Sequence, residues 1–299
     1  MKRCFLVSKR FGLSLLKSIE PDLNDTCIIH PNDSHDDRSI ISEFQEFSRK
    51  VGSELNIVST PSEAQKCIQR FSPDVMLVCG WYWLISNELL ASVPSGVFGI
   101  HNSLLPKFRG GSPLVWSMIS GEPVIGSSMF RIEDGMDDGA IVAQVKINNE
   151  PDLTISMAME KIESMFCDKF PEIWKTILDD TLCFIPQNHK NATYCAQRIP
   201  EDGHINWNWS PIEIHNFVRA QSFPYPGAYS FLEDKKIVIE ETKISSQRIY
   251  ATPGQVLNRN QNGYVGVACG QMEVIDILRL RGDVQHPKSV IKSLKVRLL

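Results

Sequence analysis

The stretch DVMLVCGWYWLISNELLASVPSGVFGIH, residues 74–101, decides the fold. It begins with an apolar strand at 74–79, breaks at GWYW, continues through a short helical stretch at 87–91, and ends on a second apolar run that leads to His101. Strands that are apolar throughout and alternate with helices are typical of a parallel sheet covered on both faces. The sequence therefore predicts an α/β fold.

The residues before this stretch repeat the alternation. Apolar runs predict strands at Cys4–Val7, Thr26–His30 and Leu55–Val58, and helical spacing predicts helices at Gly12–Ile19, at Ile40–Val51 and from Thr60 onward. The first strand is followed by SKRFGLS, which lacks the G-x-G-x-x-G of a dinucleotide-binding turn, and the chain contains no P-loop. We therefore predict a Rossmann-like, mostly parallel sheet with helices on both faces, but exclude a nicotinamide site.

The chain changes character after residue 150. Residues 151–178 have the spacing of a long helix, residues 179–207 are polar, and Ser210 with Glu213 forms a capping-box pattern that opens another helix to about Ala220. Short strands separated by turns follow, which predicts a smaller, mainly β domain (Ala228–Leu232, Lys236–Ile244, Gly254–Leu257, Tyr264–Ala268, Met272–Leu280). We expect a first domain at 1–180, a linker at 181–207, and a C-terminal helix with a small β-barrel or sandwich at 208–299.

The composition narrows the function classes. The net charge of −4 gives no global basic field, which weighs against a nucleic-acid partner. The eight cysteines are scattered without a C-x-x-C pair, which indicates buried free thiols rather than disulfides or a zinc site. No apolar stretch reaches about 18 residues, and the first apolar run is too short for a signal peptide. We expect a cytoplasmic protein that has no membrane or nucleic-acid partner.

The candidate site lies in GVFGIHNSLLPKFRGGSP, residues 96–113, and EDGMDDG, residues 133–139. A histidine at a strand end and an acid on a turn after a neighbouring strand suit general acid–base chemistry in an α/β cleft. Taken alone, a strand-end histidine such as His101 is more often a hydrogen-bonded structural residue. The acidic turn is also a calcium candidate, although it lacks the ligand spacing of an EF-hand.

HNSLLPKFRGGSP, residues 101–113, and DGMDDG, residues 134–139, together resemble the signature of the 10-formyltetrahydrofolate-dependent formyltransferases. The resemblance implies transfer of a formyl group from N10-formyltetrahydrofolate to a primary amine, with no metal. It also implies that His101 donates to the oxyanion of the tetrahedral intermediate or relays the amine proton. Asp137 would orient the imidazole or take the proton through a water.

One position departs from the family pattern. The family usually carries N-x-H at this strand end, whereas this chain has Gly99, Ile100 and His101, so the amide that would stabilise the oxyanion is missing. Asn102, a backbone N–H, or a water in the space that Gly99 leaves would have to take its place. We expect a Gly99→Asn variant to remain active.

The resemblance also implies a folate site. The stretch GWYWLI looks like the family's pterin wall, and SLLP looks like its folate-side loop, often with a cis bond before the proline. The implied cofactor-binding residues are Trp81, Trp83, Leu84, Ile85, Ser103, Leu104, Pro106, Asp134 and Gly135. The alternatives are ordinary core aromatics and a plain structural turn. Arg109 and Gly110 would shape the loop, and Arg109 suits a substrate carboxylate or phosphate.

The residues after 200 bear on the acceptor amine. PEDGHINW, residues 200–207, and FPYPGAY, residues 223–229, resemble the C-terminal domain of methionyl-tRNA and sugar formyltransferases. Trp207 and Tyr225 could stack on a base or sugar, although burial is the commoner fate of such aromatics. Residues 31–38, PNDSHDDR, are acidic where a tRNA enzyme would want a basic loop.

We therefore predict an N-formyltransferase acting on a small-molecule nucleotide-linked amino sugar, a product that typically feeds surface polysaccharide synthesis. The alternatives are a methionyl-tRNA formyltransferase and a non-catalytic folate- or sugar-binding relative. Relatives suggest a homodimer.

Overall fold

The computed structural model describes residues 1–20, 23, 25–282 and 286–299. These residues fall into two compact units. The first comprises Met1–Gly110, Gly126–Lys146 and Glu160–Cys195, and the second comprises Gly111–Ile125, Ile147–Met159 and Ala196–Leu299. The domain boundaries that the sequence suggests at residues 180 and 207 stay a prediction.

A seven-stranded sheet forms the centre of the first unit, in the order β3-β2-β1-β4-β5-β7-β8. Strands β1 to β5 run parallel, and β7 pairs antiparallel with β5. The predicted mostly parallel α/β sheet is therefore confirmed. The strands of this sheet are β1 (Arg3–Val7), β2 (Thr26–Pro31), β3 (Glu54–Val58), β4 (Val75–Cys79), β5 (Val97–His101), β7 (Val124–Arg131) and β8 (Ile141–Asn148). Two short strands, β6 (Arg109–Gly110) and β9 (Tyr194–Cys195), pair in parallel in a separate two-stranded sheet.

The helices of the α/β part follow the predicted order, with local differences at their ends. The third helix begins next to the predicted Thr60, whose side chain caps it by accepting a hydrogen bond from the backbone N–H of Glu63. The long helix begins at Ile155 rather than at residue 151 because the Thr154 hydroxyl accepts from the N–H of Met157. The helices are α1 (Lys9–Ser18), α2 (Ile41–Val51), α3 (Pro61–Phe71), α4 (Asn87–Ala91), α5 (Pro113–Ile119) and α6 (Ile155–Leu178). Across the described residues, no helix combines the length and apolarity needed to cross a membrane.

The second unit contains a five-stranded antiparallel sheet in the order β10-β11-β14-β13-β12, so the predicted mainly β character is confirmed. Helix α7 (Pro211–Arg219) packs against α5 and β11, and its predicted capping box between Ser210 and Glu213 is present. The longest strand exceeds its predicted length because it pairs with β14 through several register shifts. The elements are β10 (Ala228–Leu232), β11 (Lys235–Arg248), β12 (Val256–Arg259), β13 (Val265–Ala268), β14 (Glu273–Leu280) and α8 (Pro287–Val290).

His30, on β2, is a buried titratable group. Its ring is fully shielded from solvent, Nδ1 donates to the carbonyl of Pro31 at 2.6 Å, and Nε2 has no hydrogen-bond partner among the described residues. Burial lowers the pKa of His30, while nearby Asp33 opposes and Lys9 assists that shift. The folded protein therefore holds this imidazole neutral at a pH at which the unfolded chain protonates it.

This burial predicts that acidification weakens the fold. Below about pH 6.5 the unfolded state binds a proton at His30 that the folded state does not bind. The free energy of unfolding therefore falls as the pH drops, by up to about 1.4 kcal/mol per pH unit. The loss ends once the pH passes below the lowered pKa of His30. Chemical denaturation between pH 7 and 5 measures the effect, and His30→Phe should flatten the profile. An unchanged slope in that variant would assign the acid sensitivity to another group.

Candidate active site

The site lies at the carboxyl edge of the parallel sheet. Strands β4 and β5 are neighbours, and β5 ends on His101. Because parallel strands end at the same edge, the segment 80–86 that follows β4 lies beside the loop 102–110 that follows β5. Ile132, just after β7, packs against the same core cluster as Trp81, Trp83 and Ile85, and also against a second cluster that contains Leu105. The structure thus brings the predicted pterin wall, histidine and loop together.

His101 and Asp137 face one another at this edge. The His101 Nδ1 atom lies 3.6 Å from Asp137 Oδ2, and the His101 Nε2 atom lies 2.8 Å from the carbonyl oxygen of Phe108. A carbonyl oxygen only accepts hydrogen bonds, so the proton of the neutral ring belongs on Nε2 and the free lone pair lies on Nδ1. The Nδ1 atom is therefore the one available to take a proton, next to a carboxylate that can accept a hydrogen bond from it afterwards.

The backbone around this pair is unusual. Phe108 and Asp137 are both in the left-handed region, with φ of 57° and 49°, although neither is glycine. Such conformations cost about 1–3 kcal/mol each and persist where the surroundings enforce them, often at functional sites. The Phe108 conformation aims its carbonyl at His101, while the N–H of Gly110 donates to Asp137 Oδ2 at 2.8 Å. The loop therefore fixes both the imidazole and the carboxylate.

The predicted folate-side loop is held by polar groups from β7 and β8. Ser128, fully buried on β7, donates to the carbonyl of Ser103 at 2.6 Å and accepts from the N–H of Leu105. Gln144 donates to the carbonyl of Leu105 and to the Ser128 hydroxyl. The Leu105–Pro106 peptide bond is cis, as the resemblance implies. Leu104 and Pro106 are half-buried along this loop.

The segment 81–86 belongs to no helix or strand, and its side chains alternate between half-buried and exposed. Trp81 and Trp83 meet edge to face at 5.1 Å between ring centroids and pack on the core of the first unit, whereas Leu84 is 99% exposed. The backbone N–H and C=O groups of residues 81–85 make no hydrogen bond to the described part of the chain. The aromatics thus anchor the segment, and its backbone is available to a ligand.

The sequence of this chain is similar to that of known proteins. Residues 41–172 match the formyl transferase family, and residues 198–294 match the formyl transferase C-terminal domain. The methionyl-tRNA formyltransferase of Acetivibrio thermocellus is 33% identical over 242 residues, which cover 80% of this chain and 77% of the relative. The chain belongs to the formyltransferase family. It is therefore an enzyme of one-carbon group transfer.

Solved structures share the fold of this formyltransferase. WlaRD, a sugar 3N-formyl transferase in the presence of dTDP and 5-N-formyl-THF, has a TM-score of 0.71 and 18% identity, over 95% of this chain and 99% of its own. The N-formyltransferase from Helicobacter canadensis in complex with folinic acid and dTDP-3-aminofucose has a TM-score of 0.69 and 17% identity, over 93% of this chain and 98% of its own. At these identities the likeness concerns the fold.

Arg109 is placed differently from its predicted role in this formyltransferase. Its side chain is 2% exposed, and it donates to Gln187, to the Tyr194 hydroxyl at 3.2 Å and towards His189. A guanidinium shielded in this way has no free face for a substrate carboxylate or phosphate, so we do not place Arg109 among the substrate contacts. Gly110, with φ of 100°, contributes the N–H that binds Asp137.

The residues predicted to stack on the substrate lie in the second unit. Trp207 is 5% exposed, belongs to the hydrophobic core of that unit, and donates its indole N–H to Ser230. A ring buried in this way has no face left for stacking, so we leave Trp207 out of the site. Tyr225 is half-buried in a turn whose carbonyls accept hydrogen bonds from Arg281. Asp134 and Gly135 are exposed on the acidic turn.

Two residues of the site were not foreseen from the sequence. Gln187 donates to the carbonyls of Asp137 and Gly139, and Thr193 accepts from the N–H of Phe108 and from that of Arg109. Both lie in the polar run that the sequence suggests is a connector. No periodicity or motif marks them, because each binds residues that are distant in the chain through one or two hydrogen bonds from single polar groups.

A cysteine, Cys195, also lies near Asp137. Burial, and then the nearby Asp137, raise the pKa of the Cys195 thiol to about 11, so this thiol stays protonated near neutral pH and is a poor nucleophile. Within the described ranges, no three His, Cys, Asp or Glu side chains are grouped so that they could hold a metal ion.

The space beside Gly99 is filled by apolar side chains. A Cβ atom built on Gly99 would lie 2.9 Å from Phe130 Cε1 and 3.1 Å from Ile132 Cδ1, and Phe130 is 4% exposed. The suggestion that a water occupies this space is therefore wrong, because Phe130 and Ile132 already occupy it. Asn102, half-buried next to His101, has a side chain with no hydrogen bond to the described part of the chain.

This packing changes the expectation for Gly99→Asn. Extra atoms inserted into a packed core typically lower the free energy of unfolding by about 1–3 kcal/mol, and we expect a loss of this size for Gly99→Asn. Chemical denaturation of the variant measures the loss. Adding Phe130→Leu, which frees space beside the new side chain, should recover part of it. A single variant as stable as the wild type would show that Phe130 and Ile132 move aside without cost.

Proposed function

We propose that this formyltransferase moves the formyl group of N10-formyltetrahydrofolate to the amino group of a nucleotide-linked amino sugar. The observation that carries the proposal is the facing pair of His101 Nδ1 and Asp137 Oδ2, set beside a segment whose backbone groups are unpaired. Formyl transfer to an amine needs a group that accepts the amine proton and a group that stabilises the resulting positive charge. The imidazole of His101 can do the first and the carboxylate of Asp137 the second.

The unpaired backbone at residues 81–85 supports the folate site. A pterin ring carries donors and acceptors along one edge, which can pair with the free N–H and C=O groups of this segment. A cavity of about 180 Å³ lies beside the segment and is lined by Trp81, Trp83, Leu84 and Ile85 together with residues of α3. This volume is below the roughly 300–1,000 Å³ of pockets that enclose a whole ligand, so most of the folate would lie outside it.

The residues divide the chemistry between them. The folate supplies the formyl carbon, and attack of the amine on it leaves a negative oxygen and a positive nitrogen. His101 accepts the amine proton on Nδ1 while Nε2 stays bound to the carbonyl of Phe108. Asp137 then accepts a hydrogen bond from the protonated Nδ1, which stabilises the imidazolium until the proton passes to the departing folate nitrogen. Asn102 has a free amide that can donate to the oxygen.

The proposal for Asn102 gives a separate prediction. Removing one oxyanion donor typically lowers the rate by a factor of about 10²–10³. Asn102→Ala should therefore lower kcat at least about a hundredfold while the melting temperature and the KM for the folate change little. Steady-state kinetics with saturating folate tests this. A variant with wild-type kcat would move the oxyanion contact to a backbone N–H.

Charge near the sheet edge supports a small acceptor over a tRNA. Lys9 binds Asp33 and Asp36, at 2.5 Å and 2.8 Å, and Arg38 binds Asp36 at 2.9 Å. Burial alone would raise the pKa of Asp36, but its hydrogen bonds to Arg38 and Lys9 hold it well below the usual range. The carboxylates of this loop therefore stay ionised, and Lys9 and Arg38 are already paired with them. A loop with this charge disfavours binding of the phosphate backbone of a tRNA. Two structures of the same fold are described with dTDP or a dTDP-amino sugar.

A methionyl-tRNA formyltransferase is the second candidate, and the 33% identity to such an enzyme favours it. One experiment separates the two functions. The purified enzyme is incubated with 10-formyltetrahydrofolate and either a panel of nucleotide-linked amino sugars or charged initiator tRNA, and products are followed by mass. We expect a formylated nucleotide sugar and no salt-sensitive binding of tRNA. Formylated methionyl-tRNA alone would overturn the proposal, and folate binding without any transfer would indicate a non-catalytic relative.

A further inference from the structure

We propose that Gln187 is a positioning residue that sets the distance between Asp137 and His101. Its side-chain amide is 6% exposed and lies within the run 183–191, whose other residues are all exposed, including Phe184 and Ile185. A polar side chain that is buried while its apolar neighbours are exposed is held in that position by its hydrogen bonds. The inference rests on the proposed function of the His101–Asp137 pair.

All the hydrogen-bonding capacity of this amide is used. The Gln187 Nε2 atom donates to the carbonyl oxygens of Asp137 and Gly139, at 2.8 Å each. The Gln187 Oε1 atom accepts from Arg109 Nη2 at 2.7 Å and from Arg109 Nε at 3.2 Å. Two N–H groups and two lone pairs are thereby satisfied, which also fixes the orientation of the amide, since a flipped amide would turn its donors towards the guanidinium.

The amide joins the two backbone segments that hold the pair. On one side it binds the carbonyl of Asp137, whose left-handed backbone carries the carboxylate. On the other side it binds Arg109, which immediately precedes Gly110, the donor to Asp137 Oδ2. Phe108, next to Arg109 in the same segment, accepts from His101. Gln187 thus links the segment that orients the imidazole to the turn that carries the carboxylate.

Arg109 gains its partner from the same contact. The guanidinium is buried and pairs with no carboxylate in the part of the chain described here; it binds the neutral acceptors Gln187 and Tyr194 and lies 5.8 Å from the Tyr194 ring centroid. A buried cation that loses an acceptor destabilises the fold. A simple truncation of Gln187 would therefore combine a stability loss with any loss of positioning, and the two have to be separated.

Gln187→Glu separates them. A carboxylate keeps an acceptor for Arg109, so the guanidinium stays paired, but it cannot donate to the carbonyls of Asp137 and Gly139 and repels both. We expect the melting temperature to be maintained, kcat for formyl transfer to fall about 10–100-fold, as for groups that orient a reacting side chain, and the KM for the folate to change little. The matched control is Gln45→Glu, which adds the same charge on an exposed position of α2.

A second readout does not depend on transfer activity. The imidazole ¹⁵N shifts of His101, assigned by their loss in His101→Ala, report its surroundings in each variant. Gln187→Glu should change them and Gln45→Glu should not. Unchanged His101 shifts with kcat within about twofold of wild type would overturn the positioning role, as would a lowered melting temperature with unchanged kcat. If the wild type transfers formyl to no amine, the proposed function fails while the shift comparison still decides the role of Gln187.

Discussion

His101→Ala is expected to lower kcat for formyl transfer by a factor of about 10²–10⁴, the usual contribution of a positioned general base. The variant loses the Nδ1 lone pair beside Asp137, so the amine proton has no acceptor at the point where the tetrahedral adduct forms. The carbonyl of Phe108 loses its hydrogen bond as well. Steady-state and single-turnover kinetics with saturating folate measure the loss.

Because His101 is 9% exposed, its truncation also leaves a small void. Circular dichroism and thermal melting are therefore measured alongside the kinetics, and His101→Gln, which fills more of the space, serves as the second variant. Both should bind 5-formyltetrahydrofolate as the wild type does, since the segment 81–86, proposed to bind the pterin, is untouched. A folded His101→Ala enzyme with near-wild-type kcat would remove the histidine from the mechanism.

Asp137→Asn is expected to lower kcat about a hundredfold or more with little change in stability. Asparagine tolerates the left-handed backbone found at this position, and its side-chain oxygen can still accept from the N–H of Gly110. What the variant loses is the negative charge next to the protonated Nδ1 of His101. The comparison of kcat and melting temperature with the wild type tests this.

The matched control is Asp138→Asn, which removes the same charge from the next residue of the turn. It should retain most of the activity, because no hydrogen bond or ion pair joins the side chains of Asp138 and His101. Equal losses in the two variants would indicate that the net charge of the turn matters, and that the particular contact between Asp137 and the imidazole does not.

The sheet and the closeness of His101 to Asp137 were predictable because they depend on local signals. A short apolar run such as 75–79, followed by the break at Gly80, favours a buried strand, and a parallel sheet then brings the residues after β4 and β5 to one edge. The spacing from His101 to Asp137 belongs to a recognisable motif. The capping of α3 by Thr60 and of α7 by Ser210 likewise follows from residues close together in the chain.

The residues that hold the pair were not predictable. Gln187 lies 50 positions from Asp137 and 78 from Arg109, and no local preference encodes such a contact. Arg109 looks like a substrate ligand until the fold shows that its guanidinium is used internally. Gly99 looks like a vacancy until the side chains of Phe130 and Ile132 are placed beside it. In each case the tertiary packing decides the role of the residue, and the local patterns of a single sequence do not reveal that packing.

Under the proposed function, the imidazole of His101 and the carboxylate of Asp137 assist the transfer of a formyl group from the folate to a sugar nitrogen. A single-turnover reaction with 10-formyltetrahydrofolate carrying an isotopic label on the formyl carbon tests it most directly, with the wild type and His101→Ala compared on the same nucleotide-linked amino sugar. We predict that the wild type transfers the labelled carbon to the sugar, where it forms a formamide, and that the variant forms almost none of this product. Label on the sugar at equal rates with both proteins would contradict the account.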